Sequence, residues 1–224
     1  MDEEPQEMPA PPDPQDQPFR GVMIDTETGG FQARKHALLQ IGAVAFSVCP
    51  HCARVEIDDV LSIDVKPAAG FNITKGALRT IGMTRDQVLH RPTAIAEGAA
   101  IADLARFLDT FADRSAWAWA ASFDADFIYR ATKRSLARNA VEEDAAKRLL
   151  QLPRTLCCAR QVAMAQAALK IHAVDKTSLD TWAGHFGLQD GKRGPHNAVG
   201  DAILAINVLA RLIGPLRRLS GGGE

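Results

Sequence analysis

Asp25 and Glu27 stand two residues apart, just ahead of the glycine pair Gly29-Gly30. The short apolar run Gly21-Val22-Met23-Ile24 before them reads as a buried strand. Alternate residues of a strand share a face, so both carboxylates enter one space. Like charges held that close repel strongly unless a cation lies between them. An all-oxygen ligand set suits a hard cation such as Mg²⁺ or Mn²⁺. The same pair would also serve as two solvated acids at a strand end, so residues elsewhere decide between the readings.

Three further places carry chemistry. Asp124, in Phe123-Asp124-Ala125-Asp126-Phe127, follows a Trp- and Ala-rich strand. The carboxyl edge of an α/β sheet is where sites collect, although Asp124 also fits a helix N-cap. His196-Asn197-Ala198-Val199-Gly200-Asp201 opens the last helix. Asn197 reads as its N-cap, with His196 just outside and Asp201 one turn in. A carboxylate there either compensates the helix dipole or binds metal. Cys49-Pro50-His51-Cys52 has zinc-ligand spacing, but no second pair follows at a matching distance, so a tight turn with incidental thiols is the preferred reading.

The elements that must position these groups follow from periodicity. Strands are expected at 38–48 and 55–65, joined by a turn at 49–53 as an antiparallel hairpin. Two further strands are expected at 116–121 and 155–158. Short helices fit 74–81 and 84–89, the second capped by Thr84. Longer ones fit 94–111, 126–138, a stretch ending near 169, one capped by Ser178 and ended by Gly187, and 197–213. Residues 139–153 read as part helix and part loop. The loop 189–195, with Gly191 and Gly194, is expected to move. Three strands followed by alternating helices and strands make an α/β fold with a mixed five-stranded sheet flanked by helices.

Bulk composition excludes several classes. At 46% hydrophobic and 24% charged, the 224 residues suit one globular domain with a full core. No run approaches the length of a membrane span, and no secretory signal opens the chain, so a cytoplasmic protein with no membrane partner is expected. Residues 1–18 hold six acids and no Lys or Arg, and read as a disordered acidic, Pro-rich tail. Without them 26 basic residues face 21 acidic ones, a balance that permits a polyanionic partner. The expected domain is 19–214, followed by a flexible end at 215–224.

Taken in order and spacing, Asp25 and Glu27, Asp124, His196 and Asp201 resemble the DEDD superfamily of 3′–5′ exonucleases in its histidine-bearing form. The tyrosine-bearing form needs Tyr four residues before its last Asp, and the chain's one tyrosine, Tyr129, has Lys133 four later. The resemblance includes Ala37-Leu38-Leu39-Gln40-Ile41-Gly42, the Ile81-Gly82-Met83-Thr84 turn and Ser178-Leu179-Asp180-Thr181-Trp182. It is similar to ribonuclease T, and also to polymerase proofreading subunits and oligoribonuclease. Thr80 stands where ribonuclease T would have a base-stacking Phe, and Ala120 where the family often has Asn.

This resemblance implies a ribonuclease H-like fold and two-metal phosphodiester hydrolysis with Mg²⁺ or Mn²⁺. Asp25 would bridge both ions, Glu27 and Asp201 would complete one, and Asp124 would help hold the other. His196 would take the proton of the attacking water, its ordinary pKa of about 6.5 suiting neutral pH. Phe31 and Phe123 would stack on bases, with Thr26 and Thr28 beside them; core packing is the alternative role for Phe31. Lys35, Lys192 and Arg193 are candidate phosphate contacts. Implied partners are the 3′ ends of single-stranded DNA or RNA, together with a second copy in a homodimer. The chain has no long C-terminal extension for docking a DNA polymerase, which favours a free-standing nuclease over a proofreading subunit. An inactive fold that only binds nucleic acid is the rival class.

Overall fold

The computed structural model describes residues 17–49, 51–188 and 194–220. Most of the acidic tail, the mobile-loop expectation for 189–193 with Lys192 and Arg193, and the last four residues lie outside the described residues. Within them, strands β1 (Phe19–Thr28), β2 (Leu38–Val48) and β3 (Val55–Lys66) form an antiparallel meander. Two short strands, β5 (Ser115–Ala118) and β6 (Cys157–Cys158), add in parallel beyond β1. The two-residue strand β4 (Ile95–Ala96) runs parallel to the free edge of β3. The sheet order is therefore β4-β3-β2-β1-β5-β6, with six strands. Periodicity predicts five, because β4 is too short to show a period and its residues merge with the helix that follows.

Alternation in β1 divides the molecule into two layers. Val22 and Ile24 face helices α3 (Glu97–Thr110), α4 (Ala121–Leu136) and α5 (Glu143–Thr155), among Leu104, Leu108, Ile128 and Leu149. Met23 faces the other layer, where α7 (Leu179–His185) and α8 (Ala198–Ser220) contribute Trp182, Ile206 and Leu209. Helix α6 (Ala159–Ala168) joins this second layer through Ala159 and Ala163. A third, smaller cluster around Leu39, Ile73 and Val88 seats the short helices α1 (Lys75–Thr80) and α2 (Arg85–Leu89). Thr74 caps α1, and Thr84 with Gln87 makes a capping box on α2.

Several boundaries differ from the sequence reading: the strands expected at 116–121 and 155–158 shorten to Ser115–Ala118 and Cys157–Cys158, and three helices change more. α4 begins at Ala121, so Asp124 lies inside its first turn and is not its N-cap; Ala120 holds that place without a side-chain cap. Residues 143–155 are one helix, because Ala146, Leu149 and Leu152 form a buried stripe that outweighs the charge and Pro153 around it. α8 continues through Pro215 to Ser220.

Candidate active site

Strand β1 delivers the first acids. Asp25 and Glu27 share the face of Met23, toward α8, while Thr26 shares the face of Ile24, toward α4. Asp25 is half-buried and Glu27 is buried. Their partners across the ladder are Gly42 and Gln40 of β2, and a register shift follows Glu27. The chain then turns at Gly29, where a Cβ would lie 2.4 Å from the Asn72 carbonyl oxygen. That contact brings α1 against the end of β1: the Thr74 amide donates to the Gly29 carbonyl at 2.8 Å.

Asp124 reaches the same edge from α4. One of its oxygens accepts from both the Thr26 amide, at 3.0 Å, and the Thr26 hydroxyl, at 2.8 Å. It is only 2% exposed. Burial pushes its carboxyl up to about 7, against the pull of the two Thr26 hydrogen bonds, and the nearby Glu27 charge adds to the rise.

The start of α8 is fixed by β2. At Gly42 a Cβ would stand 2.5 Å from the Ala198 carbonyl carbon and 2.6 Å from the Val199 nitrogen, so only a bare α-carbon admits the helix. Two residues away, Gln40 Oε1 accepts from the Ala198 amide at 2.8 Å. Its Nε2 donates to Asp64 at 2.9 Å, which sets the amide's orientation. Asn197 caps the helix by accepting from the Gly200 amide at 2.8 Å, as its sequence position predicts. These anchors bring Asp201, one turn in and buried, close to Glu27 of β1.

His196, Glu27 and Asp201 meet there. One ligand atom from each lies within 4.8 Å of the others. His196 Nδ1 is 3.0 Å from Asp201 Oδ2. Beside them opens a cleft of about 510 Å³, lined by Thr26, Glu27, Thr28, Phe31, Phe123 and His196 on one side. Thr74, Gly76, Ala77, Arg79 and Thr80 of the α1 segment form the other. Phe31 is 91% exposed, so core packing is not its role. Its ring meets Phe123 edge-on at 6.5 Å, and Phe123 in turn packs on Phe127 at 5.0 Å. The Thr28 hydroxyl donates to the Gly30 carbonyl at 2.8 Å, within the turn.

The structure thus gathers Glu27, His196 and Asp201 in one group, sets Asp124 beside them through Thr26, and puts Asp25 on Glu27's face. Lys35 is exposed and is not among the residues lining the cleft. Around the Cys49 and Cys52 turn, no group of three metal-ligand side chains forms among the described residues. Sequence reading missed Arg79, the cation on the cleft wall, and the anchoring role of Gln40. For Gln40 there was a signal, a lone amide within the apolar run Leu38-Leu39-Gln40-Ile41.

A family model described as exonuclease matches residues 22–209. The chain belongs to this exonuclease family. It is thereby a member of the DEDD superfamily of 3′–5′ exonucleases, as its ordered acids imply. Two curated relatives of the family, ribonuclease T from two strains of Haemophilus influenzae, are each 32% identical over 128 residues. Each alignment covers 52% of this chain and 54% of the relative. Among solved structures, E. coli exonuclease I in complex with a dT13 oligonucleotide aligns with a TM-score of 0.70 at 17% identity. It covers 91% of this chain and 43% of the other. Exonuclease I of Methylocaldum szegediense aligns with a TM-score of 0.65 at 14% identity, over 89% and 42%. These likenesses show the ribonuclease H-like exonuclease fold. The chain spans about half the length of the curated relatives it matches and less than half of these solved chains.

Proposed function

We propose that this chain is a metal-dependent 3′–5′ exonuclease that hydrolyses single-stranded nucleic acid from its 3′ end, with residues 19–214 as the catalytic unit. The observation that carries this reading is the convergence of Glu27, His196 and Asp201 within 4.8 Å, at the foot of a cleft edged by the exposed Phe31. Family membership supports the reaction class. The dT13 strand held by exonuclease I supports a single strand as substrate.

The residues fit a pair of Mg²⁺ or Mn²⁺ ions. Their donors are hard carboxylate oxygens, and burial of Asp124, with the nearby Glu27 charge adding to it, raises its carboxyl to about 7, a penalty on the ionised form that divalent cations relieve. Asp25 would hold both ions, Glu27 and Asp201 one of them, and Asp124 the other. When bound, the pair activates water and neutralises charge at the phosphoryl group. Asp201 holds His196 by Nδ1, which directs Nε2 as the nitrogen that takes the water's proton. Thr26 keeps Asp124 at the sheet edge through both of its donors. Phe31 and Phe123 take the terminal bases on their faces, a contact indifferent to sequence. Thr26 and Thr28, on the same cleft wall, lie beside the terminal nucleotide.

The test is digestion of a 5′-labelled single strand, as DNA and as RNA of matched sequence, with Mg²⁺ or Mn²⁺ and with EDTA. The expected product is a ladder shortening from the 3′ end, only with metal. Binding without cleavage under every metal condition would assign the chain to the inactive, nucleic-acid-binding class instead.

A further inference from the structure

The segment that delivers His196 rests on the corner between α1 and α2. The His196 amide donates to the Thr80 carbonyl at 2.9 Å. One residue earlier, the Pro195 ring lies against Gly82. A Cβ at Gly82 would stand 2.7 Å from both Cβ and Cγ of Pro195. Gly82 also has φ +67°, in the left-handed region, so glycine is required there on two separate grounds. Further along, the amides of Ala198 and Gly200 are taken by Gln40 and Asn197. The amides of residues 196, 198 and 200 are thus fixed in turn, the first of them by this corner. The corner itself is held by Leu78, Ile81 and Met83, which pack on the cluster of Leu39, Ile73 and Val88. Ile81, Met83, Pro195 and His196 also share the lining of a cavity of about 210 Å³ that meets the main cleft at Glu27 and His196.

We infer that Gly82 is a positioning residue for His196. Its bare α-carbon seats Pro195, the Thr80 carbonyl then holds the His196 amide, and the imidazole stands over Asp201. The inference rests on the proton-acceptor role proposed for His196. It assigns work to the Ile81-Gly82-Met83-Thr84 turn, none of whose residues lines the cleft beside Phe31.

The test compares Gly82→Ala, Gly82→Asn, Pro195→Gly, the Gly82→Ala/Pro195→Gly double variant and His196→Ala. Two quantities are read: kcat and KM on a labelled single strand, and hydrogen exchange of the His196 amide by NMR. Gly82→Ala and Gly82→Asn should each lower kcat roughly ten- to a hundredfold, the cost of a misplaced catalytic group. KM should stay within about twofold, since substrate contacts are intact. In both variants the His196 amide should exchange faster. Asn accepts the left-handed backbone but still carries a Cβ, so equal loss with Asn isolates the collision with Pro195 from backbone strain. Pro195→Gly should also lower kcat and amide protection, and the double variant should be no worse than either single one, because both act through one contact.

Restored turnover with Asn, unchanged amide protection, or additive losses would each overturn the inference. Full turnover in His196→Ala would overturn the proton-acceptor role alone, and the amide readout would still decide the part played by Gly82. Should Gly82→Ala not fold, Pro195→Gly makes the same decision.

Discussion

The cleft beside Phe31 and the groove between α4 and α5 are nearly equal in size, about 510 and 480 Å³. Both are lined by aromatic and charged side chains. At the groove, Asp126 pairs with the neighbouring Arg130 at 2.7 Å, and Lys133 lies 4.9 Å over the Tyr129 ring. Beside the cleft, which Glu27 lines, buried carboxylates from β1, α4 and α8 are brought to one sheet edge, and the aromatic on the cleft wall is left in solvent. Volume therefore does not mark a site on this molecule. Buried charge of one sign, gathered from distant parts of the chain beside an exposed ring, does.

Substitutions can break or sharpen that contrast. The largest effect is expected from Asp25→Ala or Asp201→Asn: nuclease activity should vanish while the circular dichroism spectrum and melting cooperativity stay native. Full activity in either variant would remove the acids from the reaction. Next, Phe31→Ala should weaken binding of a single strand by roughly 1–3 kcal/mol, as expected for loss of one stacking contact. Fluorescence anisotropy with metal withheld measures this, and unchanged affinity would show that the exposed ring is idle.

A smaller effect concerns pH. Asp124 has a folded pKa of about 7 against an ordinary value of 3.8, so between these the folded state holds more protons than the unfolded one. Its contribution to stability is full below about pH 4 and is lost as pH rises through about 7. The melting temperature of the metal-free protein should carry this downward trend, and Asp124→Asn should flatten it. An identical slope in that variant would refute the assignment. The smallest effect is expected in the groove, where Lys133→Ala should change neither strand binding nor cleavage. A marked loss there would erase the distinction between the two cavities.

What was readable from sequence was what is local. Strand alternation put Asp25 and Glu27 on one face, and Asn197 declared the start of α8, so Asp201 could be placed before any coordinates. The ordered set of acids then pointed to the family. Contacts between remote segments were not readable. Gly42 admits Ala198, Gln40 holds the Ala198 amide and Gly82 receives Pro195, and none of these pairs has a spacing rule. Arg79 looks like any surface cation until α1 is seen as a wall of the cleft. Asp124 reads as a helix cap because the periodicity sets the helix start at 126, five residues late, which leaves Asp124 and Phe123 outside it.

Strand β1 has one further consequence. Its odd positions look toward α8 and its even position, Thr26, looks toward α4. Sliding it by a single residue would turn Thr26 to the wrong side and drive the carboxyl groups of Asp25 and Glu27 into the oily layer under α4. Misalignment and loss of chemistry would then be one event, so partly active forms with a slipped first strand should not accumulate.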